Sequence, residues 1–143
     1  MAHDDVDFNR GNIAEFRASG GRLASFGDAP VLLLTTIGAK SGEPRTAPMM
    51  YLAAAENPDR VYVFGSNEGR DTDPAWVHNV RAHPSGLTVE IGDETVTADA
   101  SELPEPQRSE VFAIQAERYS AFAKYQAGTA RTIPVVALDL HGR

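Results

Sequence analysis

The chain has 143 residues, of which 42% are hydrophobic and 23% charged, with a net charge of −7 and no cysteine. This balance predicts one globular domain over 1–143 rather than a disordered chain. The acidic charge argues against binding to nucleic acid or to anionic membranes, and the lack of cysteine excludes disulfides and thiolate metal sites. No stretch looks like a signal peptide or a membrane span, so a cytoplasmic protein is expected.

The front of the chain predicts a loose start and then a helix. Residues 1–7 are acidic and are expected to be disordered. From Phe8 to Ser19 apolar residues recur at helical spacing, and two glycines at 20–21 predict the end of that helix.

The stretch 31–54 predicts two strands joined by a polar turn. Residues 31–37 are apolar and β-branched, which is typical of a strand, and Gly38 breaks the pattern. Residues 45–54 form the second extended segment. The polar turn between them covers 39–44.

This turn is a candidate anion site. It combines Lys40, one of only two lysines in the chain, with the hydroxyl of Ser41, the flexible backbone at Gly42 and the guanidinium of Arg45. Such a cluster of donors favours a phosphate-like ligand. An ordinary solvated hairpin turn is the alternative, and the Walker phosphate-loop pattern is absent.

The next segments predict a third strand, a loop and a helix. Residues 60–65 alternate, which is typical of a strand and suggests an antiparallel meander with the first two. The polar stretch 66–73 is predicted to be a loop. Asp73 is expected to cap a helix over 74–82, with Pro74 at its first position.

The remaining chain predicts a hairpin, two helices and a last strand. Segments 86–91 and 94–100 alternate around a Gly-Asp turn. Helices are predicted at 108–118 and 120–127, and 133–140 is apolar enough for a strand that is covered on both faces. Together these elements predict an α+β fold, mainly β: a small antiparallel barrel of about six strands, closed or half-closed. Side chains should fill its interior, so a ligand would lie outside it or between two subunits.

Two further places could meet a ligand. Amides between Gly65 and Gly69, with the start of the following helix, could hold an anion or a polar ring edge, although a plain connection is the alternative. Trp76 and Asn79 share one face of that helix. Trp76 is expected to pack in the core, and Asn79 could cap a backbone group instead of meeting a cofactor.

Three aromatic residues, Tyr119, Phe122 and Tyr125, lie along one side of the last predicted helix. Either they pack on the barrel or they form a wall over a flat substrate, with a tyrosine hydroxyl as hydrogen-bond or proton donor. Neither a metal constellation nor a serine triad is predicted.

Four segments, in this order and spacing, resemble the deazaflavin-dependent nitroreductase family of actinobacteria. They are LLLTTIGAKSGEPRTAPMMY (32–51), FGSNEGRDTDPAWVHNVRAHP (64–84), YSAFAKYQ (119–126) and TARTIPVVALDL (129–140). The resemblance implies a split β-barrel related to flavin-mononucleotide-binding oxidoreductases. It also implies reduced coenzyme F420, a deazaflavin, as hydride donor to electron-poor substrates: nitroaromatics, quinones and activated enones such as coumarin lactones.

The resemblance also implies roles for individual residues. The residues that look like the coenzyme phosphate site and its adjoining strand contact are Lys40, Ser41, Gly42, Arg45, Thr46 and Pro48. The residues that look like the loop and helix along the deazaflavin ring are Gly65, Ser66, Asn67, Glu68, Gly69, Pro74, Trp76 and Asn79. Tyr119, Phe122 and Tyr125 look like the substrate-pocket wall, with Tyr119 and Tyr125 as candidate catalytic residues.

The sequence departs from the family pattern at three places. Ala39 stands where a basic residue is common, Asn67 and Glu68 stand where glycine is common, and Phe122 stands where some members have tyrosine. The last departure predicts poor reduction of bicyclic nitroimidazoles. Two other functions stay open: a flavin-mononucleotide-dependent oxidoreductase on the same barrel, and a carrier of flavin or deazaflavin without turnover. A homodimer is expected because related split barrels often pair.

Overall fold

The structure is a computed structural model that describes the backbone of residues 2–142 and the side chains of residues 9–142. Six strands lie in this range: β1 (Val31–Ile37), β2 (Pro44–Ala53), β3 (Arg60–Phe64), β4 (Leu87–Ile91), β5 (Glu94–Glu102) and β6 (Val135–His141). They form a closed barrel in the order β1-β2-β3-β6-β5-β4, and every neighbouring pair is antiparallel. The predicted mainly β, antiparallel barrel is therefore confirmed, in its closed form.

Four α-helices accompany the strands within the described residues: α1 (Ala2–Ser19), α2 (Ala75–Ala82), α3 (Gln107–Arg118) and α4 (Ser120–Ala127). Helix α1 begins at Ala2 rather than at Phe8, so most of the segment expected to be loose continues the helix; residue 1 lies outside the described residues. An acidic stretch offers no apolar periodicity, which is why its sequence did not predict a helix. The other three helices lie within about a residue of their predicted positions.

The core has three parts. Inward side chains of all six strands fill the barrel, and Trp76 and Val80 of α2 pack against them. Helix α1 covers the outer face of β1, where Phe16 meets Leu33 in one cluster. Helices α3 and α4 cover the outer face of β3 and β6 in another. Because both faces of β1 and β6 are covered, these strands are apolar almost throughout, as the prediction for the last strand required.

Candidate functional site

The barrel wall is open along one side of β2. Residues 44–50 of this strand pair with β1, but only residues 51–53 pair with β3. The N–H of Tyr51 donates to the carbonyl of Pro30, on the β1 side. Because strand N–H groups alternate in direction, those of Thr46 and Met50 face the open side. Pro48, which has no N–H to donate, faces the same way, as edge positions allow. We call this stretch the open edge.

The loop that leads into the open edge, residues 38–45, is closed by its own backbone. The N–H of Gly38 donates to the carbonyl of Glu43 at 2.8 Å, and the N–H of Gly42 donates to the carbonyl of Gly38 at 2.9 Å. Gly42 has a φ of 72°, the left-handed region that glycine adopts without strain. The hydroxyl of Ser41 accepts the N–H of Glu43 at 3.2 Å. Ser41 and Gly42 thus shape this loop, which we call the cationic loop.

Both cations of the cationic loop are exposed. Lys40 makes no hydrogen bond or ion pair with any described residue. Arg45 lies 3.6 Å from Glu43, with both side chains more than half exposed. An exposed pair of this kind contributes little to stability, so the guanidinium is available to a stronger anionic partner. Thr46, next along β2, bonds the hydroxyl of Thr35 on β1 at 2.7 Å.

Asn79 ties the cationic loop to α2. Its side-chain oxygen accepts the N–H of Ala39 at 2.9 Å, and its nitrogen donates to the hydroxyl of Thr36 at 3.0 Å. The Asn79 side chain is buried, and these two bonds satisfy both its oxygen and its nitrogen. The capping alternative therefore describes Asn79 well, and its contact with a deazaflavin ring stays a prediction. Trp76, half-buried on the same helix, packs against the barrel interior as expected.

A second loop precedes α2 and contains a turn of unusual backbone shape. Asn67, Glu68 and Gly69 have φ values of 46°, 56° and 79°. Side chains other than glycine rarely adopt this region, so the first two residues store strain. Among the described residues the N–H groups of Asn67 and Glu68 have no acceptor, whereas that of Gly69 donates to the carbonyl of Ser66 at 2.8 Å. We call Asn67–Gly69 the left-handed turn. Its free amides form a donor set of the kind that holds anionic or carbonyl oxygens.

Packing explains both glycines of this loop. A Cβ at Gly65 would lie 2.8 Å from side-chain atoms of Pro134 and Val77, and a Cβ at Gly69 would lie 3.0 Å from the Cα of Tyr125. Gly65 therefore lets β3 and β6 close over α2, and Gly69 lets the left-handed turn touch α4. Tyr125 is far from this loop in the sequence, but this contact brings it next to the loop in the structure.

Arg131 organises this second loop, and sequence reasoning did not single it out. Its guanidinium donates to the carbonyls of Gly65 at 3.1 Å, Ser66 at 2.8 Å and Arg70 at 2.8 Å. It also donates to the carboxylate of Asp73 at 2.7 Å. Arg131 is a single arginine ahead of an apolar strand, and no motif around it in the sequence predicts these hydrogen-bond partners.

Asp73 does not cap α2, which corrects the sequence-based expectation. The helix begins at Ala75 and has Pro74 at its N-cap without a side-chain cap bond. The carboxylate of Asp73 instead bridges two arginines, Arg131 and Arg81, the latter at 2.9 Å. Ion pairs with two cations outcompete a single bond to a backbone amide. Hydrogen bonds from Arg81 to Glu102, and then to Asp73, raise the pKa of Arg81 above its ordinary value.

The three aromatic residues of α4 divide into two kinds. Phe122 is 7% exposed, and its ring centroid lies 5.5 Å from that of Phe64 and 6.4 Å from that of Phe112. The packing alternative therefore describes Phe122. Tyr119 and Tyr125 are half-buried beside it, and their hydroxyls have no hydrogen-bond partner among the described residues.

These parts connect into one strip. Asn79 joins the cationic loop to α2, the left-handed turn precedes α2, and Gly69 touches α4 at Tyr125. A surface groove of about 560 Å³ lies elsewhere, between the end of α1 and Pro30. None of the predicted site residues lines that groove. The strip is therefore the better candidate site.

Two general features complete this description. In the described part of the chain, no helix is both long and apolar enough to span a membrane. Over the same residues, no cluster of three histidine, cysteine or acidic side chains is placed to hold a metal ion.

The barrel, with its open edge, is the split-barrel fold of deazaflavin-dependent oxidoreductases. The family model described as F420H(2)-dependent quinone reductase matches residues 8–139. The chain belongs to this family of oxidoreductases, whose cofactor is reduced coenzyme F420. The family resemblance, the enzyme class and the cofactor predicted from the sequence are confirmed.

Individual relatives agree with this assignment. A Mycobacterium tuberculosis protein named F420H(2)-dependent quinone reductase is 33% identical over 141 residues, which cover 95% of this chain and 92% of the relative. A solved structure described as an F420-H2 dependent reductase is 34% identical, covers 76% of this chain and 93% of its own, and has a TM-score of 0.66. Another, described as a domain-swapped dimer, is 31% identical, covers 93% of this chain and 98% of its own, and has a TM-score of 0.68.

Proposed function

We propose that this chain uses reduced coenzyme F420 to reduce electron-poor small molecules. Quinones are the first substrate class, because the curated relatives are named for them; activated enones, coumarin lactones and nitroaromatics are the others. The observation that carries the proposal is the strip, where exposed cations and unengaged amides lie on connected elements.

The donor chemistry of the cationic loop suits an anionic coenzyme. A chain with a net charge of −7 can attract an anion only through a local positive site. Lys40 and Arg45 supply that site, while Ser41 and Gly42 shape the loop between them. Each charge-assisted contact to phosphate contributes about 1.5–3 kcal/mol. Thr46 and Pro48 would border the coenzyme along the open edge.

The left-handed turn suits the polar edge of a flat ring. The free amides of Asn67 and Glu68 would donate to oxygen atoms of the deazaflavin, with Ser66, Gly69 and Pro74 shaping the backbone around them. Trp76 is already fixed against the barrel interior, so binding would cost little side-chain entropy there.

The substrate would lie beside α4. When bound, reduced coenzyme F420 supplies a hydride, so the protein has to position the reactants and manage a proton. The hydroxyls of Tyr119 and Tyr125 are unengaged and could orient an oxygen of the substrate or deliver a proton to it. Phe122 would pack against both tyrosine rings without contacting the substrate itself.

We also expect a homodimer that works in the cytoplasm. The relative described as a domain-swapped dimer supports pairing of this fold. Size-exclusion chromatography with light scattering would measure the mass against the 15.4 kDa of one chain.

The test is an anaerobic assay of the purified protein with menadione and either reduced coenzyme F420 or reduced flavin mononucleotide. We expect catalysed oxidation of the deazaflavin only. Turnover with the flavin alone would support the flavin-dependent alternative, and tight binding without turnover would support the carrier. Either result would contradict the proposed function.

A further inference from the structure

We propose that Arg131 is a positioning residue that directs the Asn67 amide of the left-handed turn towards the coenzyme. The proposal rests on the proposed function, because it assigns the turn to coenzyme binding. Arg131 itself would touch neither coenzyme nor substrate. It would act through the backbone carbonyls that it holds.

The Arg131 guanidinium forms hydrogen bonds with residues on both sides of the left-handed turn. Two of its carbonyl acceptors, Gly65 and Ser66, precede the turn, and the other two acceptors, Arg70 and Asp73, follow it. The Arg131 side chain is only 15% exposed, so water competes weakly for these bonds. A planar guanidinium presents its donors in a fixed fork, which matches several acceptors at once.

Peptide geometry links this grip to the free amides. In a trans peptide the carbonyl and the N–H point in opposite directions. The carbonyl of Ser66 points at Arg131, at 2.8 Å, and the N–H of the same peptide belongs to Asn67. That N–H therefore points away from Arg131. The contact with the Ser66 carbonyl fixes the direction in which Asn67 can donate to a ligand.

The turn needs this external support. Within itself it is closed by two backbone bonds, from Gly69 to Ser66 and from Arg70 to Asn67 at 3.1 Å, and by the Asn67 side chain, which donates to the carbonyl of Thr72 at 3.0 Å. Asn67 and Glu68 are not glycines, yet both have left-handed backbone angles, and the strain of that conformation works against these bonds. Without the guanidinium, the carbonyls of Gly65 and Ser66 would lose a buried donor, and the turn could relax.

The backbone of Arg131 is anchored as well. Its carbonyl accepts the side-chain N–H of Gln126, in α4, at 2.8 Å. Its N–H donates to the hydroxyl of Thr129 at 3.3 Å, and that hydroxyl donates to Asp71 at 3.0 Å. Arg131 therefore connects the left-handed turn to the helix that carries Tyr125, and it fixes the separation between the coenzyme loop and the substrate wall.

Arg108 provides a matched control. It is 11% exposed, and it bonds the same chain segment through the carbonyl of Ile133 at 2.9 Å and the side chain of Gln126 at 2.8 Å. None of its described contacts reaches the left-handed turn. Substitution of Arg108 removes bonds to Gln126 and Ile133 but none to the turn, so it should affect the turn much less than substitution of Arg131 does.

The experiment compares Arg131→Lys and Arg131→Gln with Arg108→Lys and Arg108→Gln. Three quantities are measured: hydrogen exchange of the Gly69 and Arg70 amides without coenzyme, the Kd for coenzyme F420 by fluorescence titration, and the Tm.

Both Arg131 variants should speed exchange at these two amides and raise the Kd, each by about tenfold or more, since several bonds to a charged donor are lost. Lysine should not rescue binding, because one ammonium cannot span four acceptors. The Arg108 variants should lower the Tm but change the exchange and the Kd much less than the Arg131 variants do, because Arg108 shares only Gln126 with Arg131 and bonds no atom of the turn.

The outcomes separate this proposal from the proposed function. Unchanged exchange at Gly69 and Arg70 in both Arg131 variants would overturn the positioning role, whatever the coenzyme does. Faster exchange with an unchanged Kd would overturn the assignment of the turn to coenzyme binding. If the wild-type protein does not bind coenzyme but the Arg131 variants exchange faster as expected, the proposed function would be contradicted, while the positioning of the turn by Arg131 would still be supported.

If Arg131→Gln does not fold, Asp73→Asn serves instead. This variant keeps the contacts of Arg131 with the carbonyls, so a partial increase in the exchange rate supports the proposal and an unchanged rate opposes it.

Discussion

The two loops of the strip differ in backbone strain and in the charge of the group that holds each from outside. The cationic loop is closed by its own backbone bonds, and its charges sit at the ends of exposed, flexible side chains. The left-handed turn is strained, and Arg131 holds it from outside. The difference suggests that the two loops would bind a ligand in different ways. A long cation can adjust to a phosphate after contact, whereas a backbone amide can donate well only if its direction is fixed beforehand.

One methyl group added to each loop should affect the two loops to very different extents. Gly42 and Gly69 both have φ above 70°, but a Cβ at Gly42 meets nothing within 4 Å, whereas one at Gly69 lies 3.0 Å from the Cα of Tyr125. Gly69→Ala should therefore cost about 2–5 kcal/mol of unfolding free energy, and Gly42→Ala only about 1–2 kcal/mol. Urea denaturation measures both. Equal losses would mean that the left-handed turn is not tightly packed on α4.

The hydroxyl of Tyr125 extends the comparison to the substrate side. Tyr125→Phe keeps the ring, so packing should survive. If the hydroxyl delivers a proton or orients an enone, turnover should fall by about 100-fold, while the Kd for coenzyme stays within about twofold. Steady-state kinetics with menadione and a coumarin, beside thermal melts, would measure this. A silent substitution would remove Tyr125 from the site.

Phe122 is the internal control for that result. The family resemblance implies that some members have tyrosine at the position of Phe122, and Phe122→Tyr introduces that hydroxyl. Because Phe122 is buried among Phe64 and Phe112, the added hydroxyl should enter the core instead. We expect a loss of about 1–3 kcal/mol in stability without a gain in nitro reduction, measured by denaturation and by assay. A gain in nitro reduction at unchanged stability would place the Phe122 ring edge at the substrate.

The charge of the cationic loop is tested by the two lysines. Lys40→Ala removes an unengaged cation from the strip and should weaken coenzyme binding about tenfold, with little change in Tm. Arg45→Ala should act similarly, since its ion pair with Glu43 is exposed. Lys124→Ala, on the exposed side of α4, is the matched control and should leave the Kd unchanged. If both Lys40→Ala and Arg45→Ala bind the coenzyme as the wild type does, the anion lies elsewhere.

The smallest effect concerns strain alone. Glu68 has a φ of 56° and an exposed side chain. Glu68→Gly should relieve the strain and raise the unfolding free energy by about 0.5–1 kcal/mol, offset in part by the greater freedom of glycine in the unfolded chain. A lower stability would show that the turn depends on the Glu68 side chain rather than on the grip of Arg131.

The sequence predicted the barrel well because strand alternation and helix periodicity are local. The turn at Gly92-Asp93 and the apolar run of β6 carry their own signals. It also placed the cationic loop correctly between β1 and β2. It did not predict the network of Arg131, whose partner Asp73 is 58 residues away. Nor could it separate Phe122 from its tyrosine neighbours, since helical spacing gives a shared side but not the depth of burial.

We expect the cationic loop and the left-handed turn to bind one ligand together. An amide NMR titration of the wild-type protein with oxidised coenzyme F420 tests this joint binding. We predict that the largest shifts occur at residues 39–46 and at Asn67 and Glu68, with one common Kd. Shifts confined to one of the two loops, or shifts around the groove between α1 and Pro30, would show that the two loops do not bind the coenzyme together.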